Sequence, residues 1–108
     1  MEMNEYQSLA RATAIYPSEY TIIYPTLGLA GEVGEVCGKI KKMLRDDGGV
    51  LSYERLQALL DELGDVLWYV AAIVGDLGCD LDTIAQRNVE KLESRRQRDK
   101  LRGDGDKR

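Results

Sequence analysis

Histidine and phenylalanine are absent from this 108-residue chain, proline occurs only at positions 17 and 25, and cysteine only at 37 and 79. Without histidine there is no Ser-His-Asp or Cys-His catalysis, no histidine-ligated zinc and no Glu-x-x-His pair of the di-iron bundle type. Two cysteines are too few for a disulfide scaffold, and neither belongs to a C-x-x-C motif. Both are read as small, partly buried hydrophobes. There is no run of about 18 apolar residues, no cleavable signal pattern and no repeat with a period of about 20 to 50. Those absences predict a soluble, cytoplasmic protein.

What is plentiful points to helix. Ala, Leu, Glu, Lys and Arg dominate, so an all-α domain is favoured over a sheet. A chain of this length buries a limited core on its own, which makes self-association an expectation. The net charge of -4 hides a division: residues 1–86 carry 14 acidic and 6 basic side chains, residues 87–108 carry 5 and 9. The body is acidic and the tail basic. Such a tail is either a solvated helix end or a partner for a polyanion.

Asn4 and Gln7 have the spacing of a capping box, which predicts a first helix over about 5–15 with Tyr6, Leu9, Ala10 and Thr13 facing inward. Pro17 and Pro25 bracket a tyrosine-rich segment expected to be a loop, whose tyrosines either anchor it on the core, the favoured use, or stack on a ligand. Thr26 is the expected N-cap of a second helix running to about Leu44. Leu29, Val33, Val36, Ile40 and Met43 share one face of it. Four glycines, at 28, 31, 34 and 38, interrupt it, each costing about 1 kcal/mol against alanine in a helix interior. Gly31, Gly34 and Gly38 lie opposite the apolar face, where a neighbouring helix or a ligand can approach.

Gly48-Gly49 breaks the pattern and Ser52 restarts it. A third, broadly apolar helix is predicted from Tyr53 to about Leu77, closed by Gly78. Asp80 caps a fourth, from Leu81 to about Arg98, with Leu81, Ile84, Ala85, Val89 and Leu92 inward and Asn88, Lys91 and Arg95 on a shared stripe. The domain is expected over 1–98. Residues 99–108 form a charged C-terminal tail with the composition of a disordered segment.

Two acidic pairs stand out. Glu32 and Glu35 lie one turn apart on helix two; Glu62 and Asp65 lie one turn apart on helix three. The double glycine falls near the midpoint between the pairs. An antiparallel central helix pair with equal arms would bring all four carboxylates level. Crowded like charges need a compensating cation, and an oxygen-only donor set suits Mg²⁺, with Mn²⁺ as a possible substitute. The alternative is an acidic, solvated surface, the common fate of Glu and Asp on helices. Trp68 and Tyr69 beside the second pair are assigned to packing rather than to ligand contact.

GLAGEVGE at 28–35 with the lysines that follow, DELGDVLWY at 61–69 and NVEKLESR at 88–95 resemble the MazG-like nucleotide pyrophosphohydrolases of the all-α NTP pyrophosphatase superfamily. TAIYP at 13–17 and the terminal RGDGDKR resemble its short, single-domain members. The likeness implies a four-helix MazG-like domain that forms a homo-dimer or homo-tetramer. It implies Glu32, Glu35, Glu62 and Asp65 as metal ligands and catalytic residues, and Asn88 and Lys91 as nucleotide contacts. Lys39, Lys42 and Arg95 are further candidates for the phosphates. The activity implied is hydrolysis of nucleoside triphosphates between the α and β phosphates, in house-cleaning or pool control. A non-catalytic helical interaction module of the same fold is the alternative; no membrane contact is expected, and the acidic body argues against nucleic acid.

Overall fold

A computed structural model describes all 108 residues: four α-helices, one short 3₁₀ turn and no strand. Helix α1 spans Met3–Arg11, α2 Ile23–Asp46, α3 Tyr53–Asp76 and α4 Leu81–Gln97, with the 3₁₀ turn at Ser18–Tyr20 between α1 and α2. No helix is long and apolar enough to cross a membrane. Helix α3 is the hub, packing against α2 along its length and against α1 and α4 near its end. Residue numbers fall on α3 as they rise on α2: Gly28 meets Tyr69, Glu32 meets Asp65, Lys39 meets Glu62, and Asp47 meets Arg55.

Several boundaries differ from the sequence expectations, each for a local reason. Asn4 and Gln7 do not form a capping box. Glu2 precedes α1 with no side-chain cap, and both polar residues serve α4 instead. Gln7 Oε1 accepts from Leu81 N at 3.0 Å, Asn4 Oδ1 from Asp82 N at 3.0 Å, and Asp80 Oδ1 from Thr83 N at 2.8 Å. Three otherwise orphaned N–H groups of α4 are thus satisfied, two of them by α1. Gln7 also donates to Ala71 O and Cys79 O, which explains why a polar side chain is buried there.

Thr26 is not the cap of α2. Its N-cap is Ile22, four residues earlier, because Pro25 fits the first turn, where a missing N–H leaves no bond unmade. Ile22 has φ 71° and ψ -48°, a positive-φ conformation close to the rare classic γ-turn and unfavourable by roughly 1–3 kcal/mol for a residue with a side chain. Asp76 holds it there. This carboxylate, 7% exposed, accepts from Ile22 N at 2.9 Å, Tyr16 Oη at 2.7 Å and Arg11 Nη1 at 3.2 Å. Ser52 and Asp80 cap α3 and α4 as expected, and Gly78 stands at φ 75° just beyond α3.

The core is small. Ala10, Ala71, Val74 and Leu81 form it, with Tyr6, Trp68, Val70 and Cys79 packed against its edge. Leu9 points out, so α1 turns Tyr6, Gln7 and Ala10 inward. Ile84, Val89 and Leu92 are likewise exposed, because α4 leaves the core after its first turns. Cys37 is exposed rather than partly buried. The Cα radius of gyration, 16.8 Å, exceeds the roughly 13 Å of a compact domain of this size.

Residues 99–108 fold back as a series of turns over the end of α4. Arg108 donates to the carbonyls of Lys100, Leu101 and Gly105, and Arg95, buried beneath, donates to Asp106 O at 2.6 Å.

Asp76 links three segments. Its burial pushes the carboxyl up, but its donors, Ile22 N–H, Tyr16 and Arg11, outweigh that and hold it below the ordinary carboxylate range. Its stabilising contribution is therefore complete above the unfolded pKa and disappears as pH falls through the lowered folded value. Asp76→Ala is expected to lose about 3 kcal/mol of unfolding free energy at pH 7, measured by urea denaturation followed by helical circular dichroism. The gap to wild type should shrink below about pH 4; a gap that persists undiminished at pH 3 would contradict the assignment.

Candidate functional site

Three of the four carboxylates expected to converge do so where α2 and α3 lie side by side. Glu32 from α2 and Glu62 and Asp65 from α3 each offer a carboxylate oxygen, and the three oxygens lie within 4.8 Å of one another. Spacing explains the α3 pair, since residues three apart sit one turn apart on one face. Register explains the third member, because the Gly28–Tyr69 and Lys39–Glu62 contacts flank Glu32 on both sides. Glu35, one turn further along α2, is exposed and outside this trio, but its charge is felt at Glu32.

The electrostatics are those of uncompensated negative charge. The carboxyl of Glu32 is raised above its ordinary value, first by the hydrogen bond it shares with Glu62, then by partial desolvation and by the charges of Asp65, Glu62 and Glu35. Lys39 Nζ, 3.5 Å from Glu62 Oε1, is the cation paired with this group. One ammonium against three or four carboxylates leaves a site that favours a further positive charge. The donors are all hard oxygens, so the residues fit Mg²⁺ or Mn²⁺ and do not fit a soft metal.

Glu32 and Asp65 open onto a pocket of about 320 Å³ whose other walls are Trp68 and Tyr69. The Tyr69 ring presses on α2 at Gly28, where a Cβ would fall 2.1 Å from Tyr69 Cε1. Glycine at 28 is therefore required by this ring, whereas Gly31, Gly34 and Gly38 face open space within the chain. The expected close approach occurs one turn earlier than the three clustered glycines. The tyrosine-rich segment also reaches this end of the molecule: Tyr16 and Tyr24 stack with centroids 5.0 Å apart.

The basic candidates are dispersed. Lys39 is at the trio. Lys42 lies towards the α2 terminus, where its charge acts on Asp46. Asn88 and Lys91 line a separate 350 Å³ hollow on α4 with Ile84 and Arg87, and Arg95 is engaged by the tail. The largest concavity, 540 Å³, runs along α4 and contains none of the clustered carboxylates. Sequence reasoning passed over Asp76, although a carboxylate at the C-terminal end of an apolar helix opposes the helix dipole and so needs a partner. The packing assignment for Trp68 and Tyr69 holds, Trp68 against the core and Tyr69 on Gly28, while both also wall the pocket.

The candidate site is thus an acidic trio between the two long helices of an all-helical domain. The sequence model of the MazG nucleotide pyrophosphohydrolase domain matches residues 24–98, nearly all of α2 and the whole of α3 and α4. The chain belongs to that family. It is 46% identical to the Gene 37 protein of Mycobacterium phage L5 over 114 aligned positions, which cover the whole of both chains. No solved structure matches it.

Proposed function

We propose that the protein is a Mg²⁺-dependent pyrophosphohydrolase that cleaves nucleoside triphosphates between the α and β phosphates, in control or cleansing of the cytoplasmic nucleotide pool. The observation that carries this reading is the convergence of Glu32, Glu62 and Asp65, from two helices of a MazG-family chain, on one oxygen-lined point. These three would hold the metal, with Glu35, one turn further along α2, proposed as a fourth donor. When bound, Mg²⁺ supplies charge neutralisation for the triphosphate and a more acidic water. Hydrolysis would add water across the α–β phosphoanhydride, a P–O bond forming to the water oxygen as the P–O bond to the bridging oxygen breaks, to give a nucleoside monophosphate and pyrophosphate. A carboxylate of the acidic group takes the proton, and Lys39 stabilises charge on the phosphates.

We further propose a homo-oligomer, dimer or tetramer, built on the antiparallel α2–α3 pair. Leu56, Leu60, Leu63 and Leu67 form a stripe on α3 at heptad spacing, and all are substantially exposed. Covering what remains exposed of four such side chains is worth roughly 3–6 kcal/mol by area. Asn88 and Lys91, which line a separate hollow within one chain, are proposed as nucleotide contacts on the family likeness. Lys42 is a further candidate for the phosphates; Arg95, buried beneath the tail and bonded to Asp106 O, is not.

Two measurements test these statements. With Mg²⁺, each NTP and dNTP should yield monophosphate and pyrophosphate, and Glu32→Gln, Glu62→Gln or Asp65→Asn should lower kcat by at least about a hundredfold. Release of orthophosphate without pyrophosphate sinks the proposed cleavage; no hydrolysis at all returns the non-catalytic module. Sedimentation equilibrium should give two or four times 12.1 kDa, and a monomer at micromolar concentration overturns the assembly.

A further inference from the structure

Of the lysines that follow the acidic pair of α2, one reaches the trio. Lys39 Nζ stands 3.5 Å from Glu62 Oε1, the single ion pair that Glu32, Glu62 or Asp65 makes. Glu35, one turn before it on α2, is in reach by spacing, yet the ammonium is paired across the helix contact with α3. Side chains on a helix lean towards its N-terminus, so the stem of Lys39 runs back towards the carboxylates. The two partners are 30% and 19% exposed, against 62% and 43% for the surface pair Arg45–Asp46. Solvent and salt therefore screen the charge of Lys39 less than that of an ordinary surface lysine. The contact is also loose. An ammonium has three donors to place, and 3.5 Å is longer than a well-made hydrogen bond.

Glu62 thus has two claims on it. A carboxylate that faces an ammonium is a poorer donor to a second cation, because the two positive charges repel each other at short range. We propose that Lys39 is a tethered counter-ion that competes with the divalent metal for Glu62, and that a triphosphate relieves the competition by drawing the ammonium onto its own oxygens. The assignment rests on the nucleotide reading above. It goes further in making metal uptake depend on substrate. With no polyanion present, Lys39 and the metal share one carboxylate and the metal is held weakly. A triphosphate gives the ammonium a new set of charged acceptors, Glu62 is left to the metal, and each ligand strengthens the other. Such coupling is reciprocal, so the metal tightens the triphosphate by the factor that the triphosphate tightens the metal. A single loose contact suits a group that has to change partners.

Titration of Mg²⁺ alone into the intact protein, followed by calorimetry, separates this role from that of a lysine which only locks α2 to α3. Lys39→Met should bind Mg²⁺ about tenfold more tightly than wild type, and the equally neutral Lys39→Gln should do the same. Lys39→Arg keeps the charge and should stay within about twofold of wild type. The dissociation constant of a non-hydrolysable α,β-methylene nucleoside triphosphate, measured with Mg²⁺ and again with a chelator, gives the coupling between the two ligands. Lys39→Met should reduce that ratio about tenfold. Mg²⁺ binding that is equal or weaker in both neutral variants overturns the counter-ion, and so does an unchanged ratio. Either result alongside Mg²⁺-dependent release of pyrophosphate by the wild type leaves the catalytic reading standing. Absence of Mg²⁺ binding in wild type and variants, with the analogue or without it, removes both.

Discussion

Repulsion among carboxylates at the α2–α3 contact is the constraint around which this molecule is arranged. Glu32, Glu62 and Asp65 are held within 4.8 Å of one another, close enough that Glu32 resists losing its proton. Helix spacing and register place them there, with Lys39 as the cation paired to them. The arrangement persists because the two helices are fixed in register on both sides of it, by Tyr69 on Gly28 at one end and by Lys39, then Arg55 with the aspartates of the turn, towards the other. Contacts that stabilise the helix pair thereby sustain an unfavourable electrostatic cluster, the observation on which the proposed metal site rests.

The remainder of the fold serves that register with unusually little buried apolar surface. Side chains that would ordinarily sit in a core are replaced at the α1–α3–α4 junction by polar ties: Gln7 to Ala71, Cys79 and Leu81, and Asp76 to Arg11, Tyr16 and Ile22. These bonds are directional, so they fix where α2 begins and how α4 leaves. Much of the leucine on α3 and the apolar side of α4 is left uncovered. An extended shape and a small core follow from the same cause, too few hydrophobic contacts within one copy to close the structure.

The legible and illegible parts of the sequence divide along physical lines. Strong local signals were read correctly: Ser52 and Asp80 as caps, the Gly48-Gly49 break, and the length of α3. Glu32, Glu62 and Asp65 were legible because equal arms about the turn set their heights. Tertiary contacts defeated the rest. Asn4 and Gln7 have the spacing of a capping box but are drawn to the open end of α4. Thr26 is a good N-cap by type, yet Pro25 and the Asp76 anchor start the helix earlier. Asn88 and Lys91 share a stripe with Arg95 in sequence, but the tail takes Arg95 away from it. Periodicity gives which residues share a face; it does not give what that face meets.

Whether the trio is a metal site decides the whole account, and calorimetric titration of Mg²⁺ into the intact protein tests it most directly. Mg²⁺ should bind with affinity that weakens as pH falls towards the raised Glu32 value, since the proton competes for the same oxygens, and Glu32→Gln should weaken it at neutral pH. No saturable binding of Mg²⁺ or Mn²⁺, with nucleotide or without it, would contradict the account and leave the three carboxylates as an acidic surface.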